Sequence, residues 1–276
     1  MGETPEGSIP LWLTGALIGM EGLVLFTLEY LRPLRAPQEP KLRRDTRNAA
    51  IAGLARTATA MFEAPIAARL SRLVEARRLG IVPRLPLPRW ARTVVAVTAL
   101  DYTMYLWHAL AHQSPLLWRF HAVHHVDRGL DASTALRFHV GEQLLSIPWR
   151  IGQILIVGAT PRQLAIWQTA FLASILFHHS DVRLGARIER AVGRFVMTPF
   201  LHGINHANRR EFQSANFSSA LTIWDRLHRT YRDDAGQATL TMGLPAYHRD
   251  GDVTFGAMLA LPLLQPRDAF EDSAAL

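Results

Sequence analysis

The sequence predicts an all-α protein: a multi-pass membrane helical bundle with a histidine-rich helical cap on the cytosolic side. Three observations support this. Apolar runs of helical length occupy 9–31, 93–113 and 143–180, and polar stretches separate them. Only one of the 30 basic residues is lysine, and the arginines lie mainly between the apolar runs. All 12 histidines fall between 108 and 248.

The first 92 residues are expected to form an N-terminal membrane anchor region with basic loops. The run 9–31 is long enough to cross a bilayer as a helix, and it is too long for a signal peptide. The basic, proline-rich stretch 32–48 is typical of a cytoplasmic loop. The next apolar segment, 49–70, is interrupted by Arg56, Glu63 and Pro65, so it either crosses the membrane or lies on its surface.

The following apolar segments bring the histidines to one side of the membrane. The helix predicted over 93–113 ends at the first histidines, whereas 143–177 reads as two short helices broken at Ala159-Thr160-Pro161. A hairpin of this kind leaves one membrane face and returns to it, and its number of full crossings stays open. We expect a catalytic domain over 93–248 and a C-terminal tail over 249–276.

Composition limits the chemistry. The 276 residues include no cysteine, which excludes disulfides, thiolate zinc sites, cysteine nucleophiles and cysteine-ligated iron–sulfur clusters. A metal must therefore be held by His, Asp, Glu, Asn or water. The basic pI of about 10.6 invites a nucleic-acid interpretation, but arginines between apolar runs suit membrane-flanking loops better. We expect no nucleic-acid partner.

The histidines are spaced as metal ligands on helices. His108 and His112 lie four residues apart, and His121, His124 and His125 again share one helix face. Further histidines follow at 178–179 and in the stretch His202-Gly-Ile-Asn205-His206. The alternative is a set of unconnected histidines at a membrane–water interface. Several such clusters in succession favour ligation, since imidazole suits iron, zinc, copper and nickel.

The number of histidines indicates two metal ions. Eight or more nitrogen ligands exceed the three that a catalytic zinc takes from protein. Ligation by histidine without thiolates, beside apolar helices, suits iron that handles O2 better than magnesium or calcium. Two haem groups are the rival interpretation. They usually take one histidine from each of two facing helices, whereas three histidines here lie within five residues.

Four ordered motifs resemble the fatty acid hydroxylase / sterol desaturase superfamily. They read WHALAHQSPLLWRFHAVHH, TALRFHVGE, FHHSDVRLG and LHGINHANRREFQSANFSSALTIWDRLHRTYR, and the resemblance covers roughly 95 to 232. It implies an integral-membrane helical bundle with a cytosolic di-iron site that activates O2. The metal ligands that it implies are His108, His112, His121, His124, His125, His179, His202 and His206.

The resemblance also implies roles for neighbouring residues. His178 and Asn205 could bind a metal directly or through water, and Asn205 stands where the motif HxxHH has a histidine. We expect a working site with one softened or water-filled position rather than a decayed one. Asp101, Arg137, His139 and Glu142 are expected to orient the ligands by hydrogen bonds, the alternative being an ordinary interfacial polar cluster. Trp224-Asp225-Arg226 is expected to have a structural role.

The implied function is oxidation of a lipid. Two iron ions and O2 as co-substrate would hydroxylate or desaturate a sterol, fatty acyl chain or related lipid. The sequence has no GxGxxG motif for a flavin or nicotinamide cofactor, so electrons must come from an external ferredoxin, cytochrome or reductase. The alternatives are a membrane zinc-dependent hydrolase that uses the same histidines, and a non-catalytic, degenerate family member.

Overall fold

The computed structural model describes residues 10–236 and 240–271, and within them the regular structure is helical. The prediction of an all-α fold is confirmed for these residues, which contain only isolated β-bridges and no β-strand. The α-helices are α1 (Leu11–Leu31), α2 (Lys41–Ala58), α3 (Ala64–Arg77), α4 (Arg89–Gln113), α5 (Pro115–His125), α6 (Val140–Leu145), α7 (Ile147–Val157), α8 (Pro161–His179), α9 (Ala186–Val192), α10 (Pro199–Asn205), α11 (Ile223–His228) and α12 (Phe255–Ala260).

Helix α1 is the candidate membrane span. Within the described residues, only Trp12–Leu31 combines the length and the apolar composition that a crossing requires. Most of its side chains are exposed, and it packs along α8. Helices α4 and α8 reach the length but not the mean hydropathy, because polar and charged residues interrupt them. Further crossings therefore stay a prediction.

A π-helical segment, Thr59–Glu63, joins α2 to α3 in one long helix. Pro65 explains it, because proline has no N–H to donate to the carbonyl four residues earlier. The chain instead donates from Ala64 N–H to the carbonyl of Thr59, five residues back. The extra residue in this turn rotates the start of α3 and leaves Glu63 buried.

The apolar core that supports the histidine helices lies between α3, α4, α7 and α8. It includes the fully buried Ala96, Leu100 and Ile154. The break between α7 and α8 falls at Gly158–Thr160, one residue before the predicted position. Gly158 adopts a φ of +78°, and the backbone of Gly80 approaches so closely that a side chain at either position would clash.

The C-terminal segment packs onto α5. Val253, Met258 and Ala269 are buried in one apolar cluster with Val123 and Val126. The sequence indicated no such contact, since the segment after about 250 has no pattern that distinguishes a packed turn from a free tail. The buried C-terminal segment packs against one side of α5, the helix that carries three of the predicted ligands.

Candidate metal centre

Two groups of four histidines lie side by side at one end of α4, α5, α8 and α10. In each group, one nitrogen of every ring lies within 4.8 Å of the others. We name them group A and group B. Group A contains His108, His112, His121 and His125, and group B contains His124, His179, His202 and His206.

Group A joins α4 to α5. The two helices meet at a tight turn, where the Ser114 side chain accepts a hydrogen bond from Leu117 N–H and caps α5. The Nε2 atoms of His108 and His112 lie 3.2 Å apart, as do those of His121 and His125. Each pair is one helical turn apart, so both rings of a pair lean to the same side.

Group B joins α5, α8 and α10. Nε2 of His179 lies 3.0 Å from that of His124 and 3.0 Å from that of His202. His206 completes the group, with its Nε2 3.1 Å from His202. Helix α10 begins at Pro199 and is capped by the Thr198 hydroxyl, which directs its histidines toward α8.

Helix α5 contributes to both groups. His121 and His125 share one face and belong to group A, while His124 points to group B. The rings of His125 and His206 stack across the two groups with centroids 4.1 Å apart. The two groups are therefore adjacent parts of one centre.

This donor set fits two metal ions. Imidazole nitrogens that bind one ion at about 2.1 Å lie roughly 3.0 to 3.4 Å apart in octahedral or tetrahedral geometry. The Nε2 separations of 3.0, 3.1 and 3.2 Å within the two groups are close to this range. Burial and the neighbouring imidazoles lower the pKa of His124, His125, His202 and His206 well below its usual value. These rings are consequently neutral at pH 7, the state in which a nitrogen lone pair can bind a metal.

Several ligand rings are oriented through their second nitrogen. Nδ1 of His121 lies 3.0 Å from the buried carboxylate of Glu142. Nδ1 of His108 and His179 bond to the carbonyls of Phe217 and Ile175. These contacts leave Nε2 of each ring facing its group. Sequence motifs could not reveal the two carbonyl partners, because any residue type supplies a carbonyl.

The four predicted supporting residues divide into two pairs. Glu142 contacts a ligand ring, and Arg137 is fully buried, with Nη1 3.5 Å from the His124 carbonyl and 3.6 Å from Asp127. Asp101 and His139 contact neither group. Asp101 accepts hydrogen bonds from Trp224 and Leu221, and His139 caps α6 and bonds to the carbonyl of Leu259.

Glu142→Gln is expected to weaken metal binding by about 10- to 100-fold, because an amide is a poorer acceptor for the His121 N–H than a carboxylate. Competition with a chelator measures the affinity. Asp234→Asn is the control, since it removes an exposed carboxylate that pairs with Arg232. Equal affinities in the two variants would contradict an orienting role for Glu142.

Asn205 and His178 are buried beside group B but belong to neither group. Asn205 donates from Nδ2 to the carbonyl of Ala215 at 2.8 Å, while its Oδ1 has no partner within the described residues. The His178 ring packs 4.2 Å from His202. Both groups hold four histidines without them.

Asn205→His is therefore expected to leave the metal content unchanged and to lower stability. The larger ring must enter a fully buried position and gives up the bond to Ala215. Metal analysis and a melting curve of the same sample measure both. A gain in iron content or in activity would show instead that Asn205 had weakened the site.

A buried ion network links α2 to the residues that follow α5. The sequence did not indicate it. Helix α2 begins inside the stretch expected to be a loop, and Arg44 enters the interior rather than flanking a membrane. Its Nε donates to Asp127 at 3.0 Å and its Nη1 to Asp131 at 2.6 Å. Asp127, two residues after His125, also accepts from Asn48 and faces Arg137.

A cavity of about 870 Å³ opens from the histidines toward α1, the π-helical segment and α7. Its walls are mostly apolar, with Trp107, Phe171 and Ile175 among them. Histidines from both groups line one end, and Thr14 of α1 lines the wall as well. An elongated ligand could therefore reach the centre from the side of the candidate membrane span.

Comparison with known proteins identifies related enzymes. The chain is 29% identical over 179 residues to the ornithine lipid hydroxylase OlsE of Rhizobium tropici, which covers 63% of this chain and 51% of that protein. It is 28% identical over 142 residues to the alkylglycerol monooxygenase of Danio rerio, covering 51% of this chain and 30% of that protein.

The human alkylglycerol monooxygenase is similar, with 27% identity over 138 residues, 49% of this chain and 29% of that protein. The chain thus spans about half the length of the first relative and under a third of the other two. No solved structure gives a significant match. The family model described as Fatty acid hydroxylase matches residues 93–230, which is half of the chain and holds all the histidines of groups A and B. The chain belongs to the fatty acid hydroxylase family.

Proposed function

We propose that this protein is a membrane di-iron oxygenase that uses O2 and external electrons to hydroxylate a C–H bond of a lipid. The observation that carries the proposal is the pair of buried four-histidine groups at the end of a large, mostly apolar cavity. The donor set supports iron, since it consists of neutral imidazoles and lacks thiolates.

The residues of the chain have defined tasks in this proposal. Bound iron would supply the activation of O2 and the cleavage of the C–H bond. The eight histidines hold the ions, and Glu142 and the carbonyls of Phe217 and Ile175 fix the ring orientations. The apolar cavity walls exclude water from the centre and bind the hydrocarbon part of the substrate.

Hydroxylation of a lipid is favoured over desaturation by the names of the relatives. One is called an ornithine lipid hydroxylase and the others alkylglycerol monooxygenases, so each name describes insertion of oxygen into a lipid. Helix α1 supports an integral-membrane location, where a lipid could enter the cavity laterally. We place the centre on the cytosolic side, where an electron-donor protein is available.

Lipid mass spectrometry under ¹⁸O2 tests the proposal. Cells with and without the gene are grown under the labelled gas, and the lipid that changes is expected to gain one ¹⁸O atom. A loss of two hydrogens without oxygen would identify a desaturase. A product that forms without O2, or that takes its oxygen from water, would contradict the oxygenase and support a zinc-dependent hydrolase.

A further inference from the structure

Glu63 and Arg150 form an ion pair in the cavity wall, away from the histidines. Nε of Arg150 donates to Oε1 of Glu63 at 3.0 Å, with side chains 14% and 8% exposed. Nη1 of Arg150 donates to Gln153 at 2.7 Å, and the guanidinium packs 4.7 Å from the Trp167 ring. Both charged residues line the cavity.

The pair is only partly satisfied within the described residues. Oε2 of Glu63 accepts no hydrogen bond there, and Nη2 of Arg150 donates none. Withdrawing two charges from water costs several kcal/mol each, so a buried pair normally has its remaining atoms bonded as well. One acceptor and one donor are therefore left beside an apolar cavity, as a recognition site for a polar group would require.

Backbone geometry directs Glu63 to this place. The residue ends the π-helical segment, and such segments are frequent at functional sites. In an uninterrupted α-helix, the Glu63 side chain would point in a different direction relative to α7. The π-helical segment thus places Glu63 beside Arg150 in the cavity wall.

The separation from the metal centre follows from helix geometry. Arg150 comes eight positions after Glu142, which contacts His121, and the chain between them is the nearly continuous pair α6 and α7. At 1.5 Å per residue, this is roughly 12 Å along the axis. A group held at Arg150 would therefore lie roughly 12 Å along the helix axis from Glu142, which contacts His121.

We propose that Glu63 and Arg150 bind an uncharged hydrogen-bonding group of the lipid, a secondary amide or a hydroxyl, and so select the carbon that is oxidised. This inference rests on the proposed function, in which the cavity holds a lipid. A neutral group that both donates and accepts matches the free donor and acceptor of the pair. The two opposite charges cancel at this distance, so the pair offers no net attraction to an anion or to a cation.

Ligand binding to the full chain in nanodiscs tests this proposal without turnover. The probes are a long-chain N-methyl amide, the alcohol, the methyl ester and the alkane of equal length. Quenching of tryptophan fluorescence reports binding, since Trp107 and Trp149 line the cavity, and empty nanodiscs correct for partitioning. The amide and alcohol are expected to bind at least about tenfold more tightly than the alkane, with the acceptor-only ester between them.

The double variant Glu63→Met/Arg150→Met keeps long, unbranched side chains and removes both charges together with their hydrogen-bonding groups. Its preference for the amide and alcohol is expected to fall to within about twofold of the alkane. Glu39→Gln, which weakens a comparably buried Glu–Arg pair outside the cavity, is expected to keep the wild-type preference. A wild type without preference, or a double variant that retains it, would overturn the proposal.

These outcomes are separate from those of the proposed function. Selective binding without any ¹⁸O product would contradict the oxygenase but still support the recognition site. An ¹⁸O-labelled product without selective binding would support the oxygenase and contradict the recognition site. Should the double variant fail to fold, the single variant Glu63→Gln, which keeps the side-chain shape, is expected to bind the amide and alcohol more weakly relative to the alkane, and an unchanged preference would overturn the proposal.

Discussion

Replacing His124 with alanine is expected to lower the iron content from two ions to one per chain and to abolish the lipid product. His124 is fully buried in group B, and its Nε2 lies 3.0 Å from that of His179, so its loss removes one of the four nitrogen donors of that group. Loss of a residue that only orients a ligand costs 10- to 100-fold, and loss of the ligand itself should exceed about a hundredfold. Metal analysis and product quantification by mass spectrometry measure both effects.

His178→Ala provides the comparison for this variant. His178 is as deeply buried as His124 and packs against His179 and His202, but it belongs to neither group. We expect this variant to retain two iron ions. If His178→Ala lost an ion and His124→Ala did not, the assignment of group B would be wrong. Persistence of product in His124→Ala would remove the histidines from catalysis altogether.

Replacing Asp127 with asparagine is expected to destabilise the protein by about 3–5 kcal/mol, because it leaves buried charge without compensation. Asp127 is 1% exposed and bonds to Arg44 while facing Arg137. Burial disfavours the charged form, but Arg44 and Arg137 outweigh this effect and lower the pKa of Asp127, in keeping with a charged carboxylate. Thermal melting of the metal-free chain measures the loss of stability.

Asp250→Asn is the matched control, since Asp250 pairs with Arg128 at the surface and its side chain is 76% exposed. Solvent screens such a pair, so no measurable change in melting temperature is expected. Similar melting temperatures for the two variants would contradict the role of Asp127 in holding α5. We further expect Asp127→Asn to lower metal affinity, because the Arg137 it holds contacts the His124 carbonyl.

The sequence predicts the histidines better than it predicts their surroundings. Ligand spacing is a local property of a helix, so i, i+3 and i+4 patterns in α5 indicate which rings can converge. Helix breaks are equally local, and Pro161 together with Thr160 marks the start of α8. Tertiary packing places His124 in a different group from His121. The pattern HxxHH therefore cannot predict which histidine belongs to which group.

The long-range contacts could not be predicted for the same reason. Arg44 lies in a basic stretch with a composition typical of a cytoplasmic loop, and its partner Asp127 is 83 positions away. Glu63 interrupts the apolar segment 49–70, and Arg150 lies within the apolar segment 143–177. In the fold they are partners, separated by 87 positions. Charge composition alone cannot distinguish a solvated charge from a buried pair.

The position of α5 between the two histidine groups has a consequence for metal loading. An ion bound in group A would fix His121 and His125, and with them the backbone that carries His124. The second ion would then bind to a helix that is already ordered and would lose less conformational entropy. The two binding events are therefore coupled through α5, and we expect fewer chains with a single ion during titration with iron than two independent sites would give.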